Sequence, residues 1–157
     1  MKIAVDDLSG PEIAAFLESH VQEMRSVTPL ESKHALDLAG LRRPEVTFWT
    51  ARDDDGALLG CGAIKRLDGG HAEIKSMRTA PARKRGGVAS ALLAHIVAEA
   101  TSAGYTRLSL ETGSADFFAP ARALYAKFGF EHCEPFADYR EDPHSAFMTR
   151  PLPGRPR

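Results

Sequence analysis

The stretch that decides the fold runs from residue 77 to residue 93 and reads MRTAPARKRGGVASALL. Its residue order predicts the end of a strand, a basic turn with two glycines, and the start of a helix. The first N–H groups of a helix lack intrahelical partners and carry a partial positive charge, so they attract anions. Gly86 and Gly87 let the backbone approach a ligand closely, and three cationic side chains precede them (Arg83, Lys84 and Arg85). The stretch predicts a phosphate or pyrophosphate site, and a solvent-exposed basic turn is the simpler interpretation.

Composition indicates a single globular domain. The chain has 157 residues, of which 43% are hydrophobic and 26% charged, and its formal net charge is −1. These values are typical of one folded domain, and the small net charge argues against nucleic acid as the main partner. We find neither a signal-peptide pattern nor an apolar stretch long enough to span a membrane, so we expect a cytoplasmic protein without a membrane partner. Cys61 and Cys133 lack metal-binding spacing, which predicts reduced thiols and no metal.

The first part of the chain predicts one strand and two helices. Residues 2–5 are a strand candidate, and residues 9–12 (SGPE) form a capping box before an amphipathic helix that ends near Arg25. Residues 28–31 (TPLE) form a second capping box, with proline at the first helical position. We expect this second helix to end before Pro44.

The middle of the chain predicts a three-stranded antiparallel meander. Its strands are rich in β-formers, and turns with Asp and Gly separate them. The three strands cover residues 46–51, 58–64 and 71–79. In the second strand, Gly60 and Gly62 flank Cys61 and begin like a dinucleotide-binding fingerprint. The third glycine of that fingerprint is missing, so close packing against the strand or a bulge is the better interpretation.

The rest of the chain predicts a strand–helix–strand unit and a closing pair of strands. The helix after Gly87 ends at Gly104 and residues 105–111 alternate as a strand, which implies a right-handed crossover and a locally parallel pair. The remaining elements are a helix at about 120–129 and an antiparallel pair at 131–136 and 146–150. We therefore expect an α/β (α+β) fold in one domain, residues 1–150, with a loose tail at residues 151–157.

Two motifs, residues 84–89 (KRGGVA) and residues 124–130 (LYAKFGF), together resemble the hallmarks of the GNAT acetyltransferase superfamily. The phosphate turn of that family reads (Gln/Arg)-x-x-Gly-x-(Gly/Ala), and residues 84–89 match it except at Lys84. The Ser-Ala-Leu-Leu that often follows stands at residues 90–93. The second motif matches the Leu-Tyr-x-x-Phe-Gly-Phe run of the family. Within the superfamily, the chain is similar to bacterial N-acetyltransferases of the YsnE type.

The resemblance implies a mixed, mostly antiparallel central sheet that is splayed at strands 4 and 5 and flanked by helices. Acetyl-coenzyme A, the co-substrate, would lie in the splay, with its pantetheine arm along residues 77–79 and its pyrophosphate on the amides of residues 85–89. The implied cofactor-binding residues are Met77, Arg78, Thr79, Lys84, Arg85, Gly86, Gly87, Val88, Ala89 and Ser90. Many members have an asparagine where Phe118 stands, so a polar contact to the cofactor arm is either absent or supplied by Ser114 or Asp116.

The resemblance also implies transfer of acetyl to a primary amine of a small molecule or peptide. A lysine-like amine has a pKa of about 10.4, so a base near the amine assists the reaction. Tyr125, in the Leu-Tyr pair, is implied as the acid for the leaving thiolate, and a packing tyrosine is the simpler interpretation. Glu73 matches a position where several members keep a base. A solvated strand carboxylate paired with Lys75 is an equally good interpretation of Glu73, and Glu111 is the reserve base.

The acceptor site is the least defined part of the implied active site. In this family the second helix and the final strand loop wall that site, which nominates Glu31, His34, Tyr139 and Arg140. For each of them an ordinary surface role is the simpler interpretation. Two other functions stay open: a non-catalytic coenzyme A-binding regulatory module, and an acyltransferase that uses another acyl group or a hydroxyl acceptor. A homodimer is also left open.

Overall fold

The computed structural model describes residues 1–27, 38–80 and 87–153, with the backbone alone for residues 20–27. Within these residues, seven strands form one sheet and helices cover both of its faces. None of the described helices is long and apolar enough to cross a membrane. In chain order the elements are β1 (Lys2–Val5), α1 (Pro11–Val27), α2 (Leu38–Leu41), β2 (Val46–Arg52), β3 (Leu58–Arg66), β4 (His71–Thr79), α3 (Val88–Ser102), β5 (Arg107–Gly113), a 3₁₀ helix (Asp116–Phe118), α4 (Ala119–Lys127), β6 (Glu131–His132) and β7 (Ser145–Pro151).

The sheet is mixed, as predicted. Its strands lie in the order β1-β2-β3-β4-β5-β7-β6. All neighbours are antiparallel except β4 and β5, which run parallel because α3 crosses over between them. The predicted meander, parallel pair and closing pair are confirmed. β6 is shorter than the predicted strand at 131–136, and Pro135 gives the reason, because proline has no N–H for a ladder bond.

The two faces of the sheet carry separate parts of the core. On one face, α3 and α4 pack Leu93, Ile96 and Tyr125 against a layer that includes Ile74 and Leu110. On the other face, residues of α1 and α2 pack against β2 and β3 (Ile13, Leu17, Leu41, Phe48 and Cys61). Successive side chains of a strand point to opposite faces. The side chains of residues 73 and 75 of β4 therefore lie on the α1 side, opposite to that of Ile74.

The start of α1 differs from the predicted capping box. The Ser9 hydroxyl donates to Oδ1 of Asp7 at 2.6 Å, and the Ser9 N–H donates to the same oxygen at 3.0 Å. The Glu12 carboxylate pairs instead with Nη1 of Arg52 at 2.5 Å. Asp7 thus accepts the Ser9 N–H, which the Glu12 carboxylate would accept in a capping box, and the prediction for residues 9–12 is wrong. The second predicted capping box, at 28–31, lies outside the described residues.

Gly60 and Gly62 allow close packing, as predicted for the strand that contains them. A Cβ at Gly60 would lie 2.7 Å from the carbonyl oxygen of Arg78 and 3.0 Å from Cδ1 of Leu92. A Cβ at Gly62 would lie 2.6 Å from Sδ of Met77. Side chains at these positions would therefore push β3 away from α3 and distort its pairing with β4.

The predicted loose tail begins too early. Pro151 is the last residue of β7 and lies opposite Arg107. The N–H of Leu152 donates to the carbonyl oxygen of Thr106 at 2.8 Å, and its side chain is buried. Burial of this apolar side chain holds the chain in place beyond the strand. Residues 154–157 lie outside the described residues.

Candidate active site

A bulge in β4 marks the middle of the sheet. Its register with β3 passes from Ala63 opposite Lys75 to Cys61 opposite Arg78, so one residue of β3 faces two of β4. Ser76, inside this irregularity, has a φ of 57°, in the left-handed region that residues other than glycine rarely adopt. The Cys61 thiol donates to the Ser76 carbonyl oxygen at 3.2 Å. Such a bulge bends its strand and increases the local twist.

β4 and β5 separate after a short parallel ladder. Their registered pairs run from His71 opposite Arg107 to Ile74 opposite Leu110 and end there, although both strands continue. On its other side, β4 stays paired with β3 as far as Thr79. Backbone N–H and C=O groups require partners, so the edge of residues 75–79 that faces β5 suits an extended, amide-bearing ligand. The predicted contacts to the pantetheine arm, at residues 77–79, are on this segment.

The start of α3 lies beside the end of β4. A Cβ at Gly60 would lie 2.7 Å from the Arg78 carbonyl oxygen and 3.1 Å from Cγ1 of Val88, so these two groups are neighbours. Gly87 precedes the helix with a φ of 82°, a conformation that favours glycine. A Cβ at Gly87 would meet no atom of the described residues within 4 Å. Within the part of the chain that the structure describes, nothing fills the space over the helix start at this position.

The backbone at this helix start suits an anion. The N–H of Ala91 donates to the Gly87 carbonyl oxygen at 3.0 Å, as in a regular first helical turn. The three preceding N–H groups, of Val88, Ala89 and Ser90, belong to the end of the helix that carries the positive pole of its dipole. A pyrophosphate fits such a site. The other residues predicted for this turn, Lys84, Arg85 and Gly86, lie outside the described residues.

Glu73 is part of a buried polar cluster. Its Oε2 accepts a hydrogen bond from Nζ of Lys75 at 3.0 Å and from the hydroxyl of Tyr139 at 2.5 Å. The Lys75 ammonium also donates to the Tyr139 hydroxyl at 3.1 Å. Burial, together with the Glu73 charge and hydrogen bond, raises the pKa of Tyr139 above its ordinary value. The phenol therefore keeps its proton at neutral pH and donates a hydrogen bond to the carboxylate.

The burial of this cluster bears on both interpretations of Glu73. The side chain pairs with Lys75, as the simpler interpretation expected, but Glu73 is only 4% exposed rather than solvated. A buried carboxylate is costly unless charges and hydrogen bonds compensate for the lost water. Lys75 and Tyr139 supply both kinds of compensation. Glu73 is therefore an anchored carboxylate beside the point where β4 and β5 separate.

A pocket of about 410 Å³ borders this cluster. Lys65, Leu67, Glu73 and Lys75 line it from the sheet, and residues 137–142 line it from the segment between β6 and β7. That segment is held by ring contacts in which Phe136 packs against His71, Tyr139 and Phe147, with centroids 5.1 to 6.0 Å apart. Tyr139 thus reaches from the covering segment to the floor of the pocket.

A second hydrogen-bond chain runs beside Glu73. Nε2 of His71 lies 2.6 Å from Oγ of Ser109, which lies 2.8 Å from Oγ1 of Thr149. Burial, and then the charge of Arg107, lowers the pKa of His71, so its ring is neutral at neutral pH. Ser109 is 1% exposed, and its hydroxyl is engaged by both neighbours. Ser109 of β5 therefore joins His71 of β4 to Thr149 of β7.

Tyr125 lies in the core on the other face of the sheet. Its ring packs edge-on against Phe130, with centroids 5.8 Å apart. Burial, and then the charge of Glu111, raises the pKa of Tyr125, so the phenol stays protonated at neutral pH. The same Glu111 also raises the pKa of Tyr139. Glu111 stands on β5 just beyond the last registered pair with β4, and its charge reaches a tyrosine on each face.

Phe118 occupies an apolar position. Its ring packs on Gly113, where an added Cβ would lie 2.0 Å from Cδ2 of Phe118. The hydroxyl of Ser114 donates to the Pro143 carbonyl oxygen at 2.5 Å, so this nominated substitute is engaged within the protein. Asp116 begins the 3₁₀ helix. The tight contact explains why a glycine ends β5 opposite this phenylalanine.

Two of the four residues nominated for the acceptor site line the pocket, and the other two lie outside the described residues. Tyr139 and Arg140 line the pocket, whereas Glu31 and His34 lie outside the described residues. Sequence reasoning missed the bond between Tyr139 and Glu73 and the His71–Ser109 pair. Strand alternation puts residues 71, 73 and 75 on one face, but nothing in the sequence indicates which loop covers that face.

Known proteins are similar to this chain in sequence and in fold. The model of the Acetyltransferase (GNAT) family matches residues 13–130. The chain is 55% identical to the N-acetyltransferase YsnE of Bacillus subtilis over 97% of this chain and 100% of the relative. It is 39% identical to the IAA acetyltransferase of Azospirillum brasilense over 89% of this chain and 90% of the relative. A Klebsiella pneumoniae structure assigned as an acyl-CoA N-acyltransferase superposes with a TM-score of 0.78 at 28% identity, covering 96% of this chain and 97% of the other.

The similarities to YsnE and to the Klebsiella pneumoniae structure extend over nearly the whole chain, which includes the sheet with its parallel β4–β5 pair. They confirm the resemblance carried by the glycine turn and the Leu-Tyr motif. The chain therefore belongs to the GNAT acetyltransferase family and is an acyltransferase of the N-acetyltransferase class with acetyl-coenzyme A as its donor.

Proposed function

We propose that this enzyme transfers acetyl to a primary amine of a small molecule or peptide, with Glu73 as the base. The observation that carries the proposal is the anchored Glu73 carboxylate, which borders a pocket beside the point where β4 and β5 separate. A pocket of about 410 Å³ lies within the usual range for small ligands. Donor and acceptor would then meet where the two strands part.

The donor half of the site uses mainly backbone groups. The β5-facing edge of residues 77–79 would hold the amide-bearing arm, and the N–H groups of residues 88–90 would hold the pyrophosphate. None of the described residues would block phosphate oxygens from approaching the helix start at Gly87. When bound, acetyl-coenzyme A supplies the thioester that acylates the amine.

In this proposal, Glu73 takes a proton from the acceptor. An alkylamine with a pKa of about 10.4 is mostly protonated at pH 7, and its neutral form costs about 4.6 kcal/mol to reach. Among the described residues, Lys75 and Tyr139 both bond to Oε2 of Glu73. Oε1 is then the oxygen that can accept the amine proton, directly or through one water. Lys75 and Tyr139 hold the carboxylate in a fixed orientation.

Tyr125 is the proposed proton donor to the leaving thiolate. Its raised pKa keeps the hydroxyl protonated through the neutral range. Because the phenol is buried, water does not compete with it as the proton donor to the leaving thiolate. The separation of β4 and β5 beyond Ile74 and Leu110 opens the sheet between the face that carries Tyr125 and the face that carries Glu73.

The proposal is tested with purified enzyme, acetyl-coenzyme A and a panel of acceptors. The panel contains primary amines, peptides, hydroxyl analogues of the same amines, and IAA, since the Azospirillum brasilense relative is named for it. We expect thiol release that depends on a primary amine, with an N-acetyl product in the mass spectrum. Release with the hydroxyl analogues alone, or with no member of the panel, would contradict the proposal.

The same proposal includes a cytoplasmic location. Cys61 and Cys133 are both free thiols, and free thiols are the usual state in a reducing compartment. Fractionation of cells that express the tagged enzyme is expected to place it in the cytoplasmic fraction.

A further inference from the structure

The floor of the pocket carries two lysines around one carboxylate. Lys65 of β3 is directly opposite Glu73 of β4 in the strand register, and both residues line the pocket. Lys75, two residues further along β4, lies on the same face and bonds to Glu73. Glu73 therefore stands between a cation on the neighbouring strand and a cation on its own strand. One carboxylate balances one of these two ammonium groups.

The ammonium of Lys75 has capacity for a ligand. It has three N–H donors, and among the described residues two of them go to Glu73 and Tyr139. Its side chain is 9% exposed, so water solvates it poorly and a further anionic partner would be favourable. Lys65 is half-buried on the same floor. A poorly solvated ammonium group with a second lysine on the same floor favours a bound anion.

The exposed acidic side chains of the covering segment contribute little charge to this floor. Asp138 and Glu141 are exposed, so solvent screens their charges. Asp142 also lines the pocket and is half-buried, and its Oδ1 accepts the N–H of His144 at 2.8 Å. Arg140 adds a further cation at the exposed side. The pocket thus has a cationic floor and an acidic rim.

Resting on the proposed function, we propose that the acceptor is an amino acid or a similar small molecule with a carboxylate a few bonds from its amine. The carboxylate binds the ammonium groups of Lys65 and Lys75, and the amine lies beside Oε1 of Glu73. The two lysines of the floor thus face the negative carboxylate of such a molecule, and the Glu73 carboxylate faces its amine.

The test compares matched acceptors and matched variants. The acceptors are an amino acid, its carboxamide, the amine that lacks the carboxyl group, and the aminophosphonate analogue. The variants are Lys65→Met, which keeps the apolar stem, and Arg66→Met, an exposed neighbour on the other side of β3. Kinetics and binding by thermal shift are both measured. Circular dichroism checks that each variant is folded.

We expect the amino acid to have a kcat/KM about tenfold or more above its carboxamide, because a charge-assisted contact is lost in the amide. Lys65→Met should abolish that preference through KM, and Arg66→Met should keep it. Equal rates with amino acid and carboxamide would overturn the inference while the proposed amine acetylation stands. A preference for the aminophosphonate would overturn the carboxylate assignment.

Binding keeps the two proposals distinct when turnover is absent. A carboxylate-dependent thermal shift that Lys65→Met removes, without acetylation of any amine, would support the subsite and contradict the proposed function. Absence of both the shift and the turnover would overturn both proposals.

Discussion

The phenol of Tyr139 donates a hydrogen bond to the carboxylate of Glu73 across 66 positions of sequence. The bond fixes the segment between β6 and β7 to the floor of the pocket, and Lys75 joins both groups. One side chain thus connects the cover of the pocket with the proposed base. The stability of the cover and the orientation of the base depend on the same hydroxyl.

Tyr139→Phe removes this hydroxyl and keeps the ring contacts with Phe136 and Phe147. Hydrogen bonds to charged groups contribute about 1.5–3 kcal/mol, so we expect the free energy of unfolding to fall by that amount in urea titrations. Tyr105→Phe, a half-buried tyrosine next to the start of β5, is the matched control and should change it by less than about 0.5 kcal/mol. An equal effect in both variants would mean that the bond to Glu73 adds no stability.

Glu73→Gln should lower kcat by about 10²- to 10⁴-fold, the usual range for loss of a general base. Glu111→Gln is the comparison, because Glu111 is the reserve candidate on β5. If Glu111 is the base instead, the order of the two variants reverses. Melting curves and coenzyme A titrations accompany the kinetics, since Lys75 loses its charged partner in Glu73→Gln.

Tyr125→Phe tests the proton donor with a minimal change of shape. The ring packing against Phe130 is kept, so affinity for coenzyme A in calorimetry should be unchanged. We expect kcat to fall by about 10²-fold or more, because the leaving thiolate then lacks its acid. A variant with the wild-type kcat would assign Tyr125 to packing alone.

Gly87→Asp should weaken coenzyme A binding through charge. The backbone at Gly87 is left-handed, which both Asp and Asn tolerate better than other side chains, and no atom of the described residues would contact an added Cβ there. Gly87→Asn is therefore a control of nearly the same shape and strain. We expect about tenfold weaker binding for Asp than for Asn, since a carboxylate faces the pyrophosphate. Equal affinities in calorimetry would move the pyrophosphate away from the start of α3.

Cys61 should make the enzyme less stable at alkaline pH. Burial raises the pKa of Cys61 to about 12 from an ordinary value of 9.0. Above pH 9 the unfolded chain therefore releases the thiol proton while the folded chain keeps it, and stability falls as pH rises. Between pH 8 and pH 10 the fall due to Cys61 is about 1.4 kcal/mol.

The measurement for Cys61 is urea unfolding at both pH values with wild type and Cys61→Ala. The variant keeps every other group that titrates, so its stability should fall by about 1.4 kcal/mol less than that of the wild type. Parallel losses in the two proteins would show that the thiol titrates alike in the folded and unfolded states.

The fold was largely predictable because its signals are local. Alternating residues and Asp–Gly turns specify the meander of β2, β3 and β4, and the glycine turn before α3 specifies the crossover to β5. Local signals also have competitors. Asp7 accepts the Ser9 N–H that Glu12 would have accepted in a capping box, and burial of Leu152 holds the chain in place past the last strand.

The candidate site was predictable only on its donor side. Glycines before a helix are a sequence signal for an anion site, whereas the acceptor pocket depends on how residues 137–142 fold over β4. The contact of Tyr139 with Glu73 follows from the ring contacts of Phe136, which no periodicity reveals. Long-range side-chain packing therefore decides the half of the site that selects the acceptor.

The parting of β4 and β5 places exposed strand edges in the interior of a sheet. At the margin of a sheet, unpaired N–H and C=O groups can recruit another chain and promote aggregation. Here β1 to β4 stand on one side and β5 to β7 on the other, so a folded neighbour has no room to align with the edge. A slender molecule with its own amides can enter where a protein strand cannot. The fold thus keeps unpaired backbone groups available to small substrates while protecting them from pairing with other proteins.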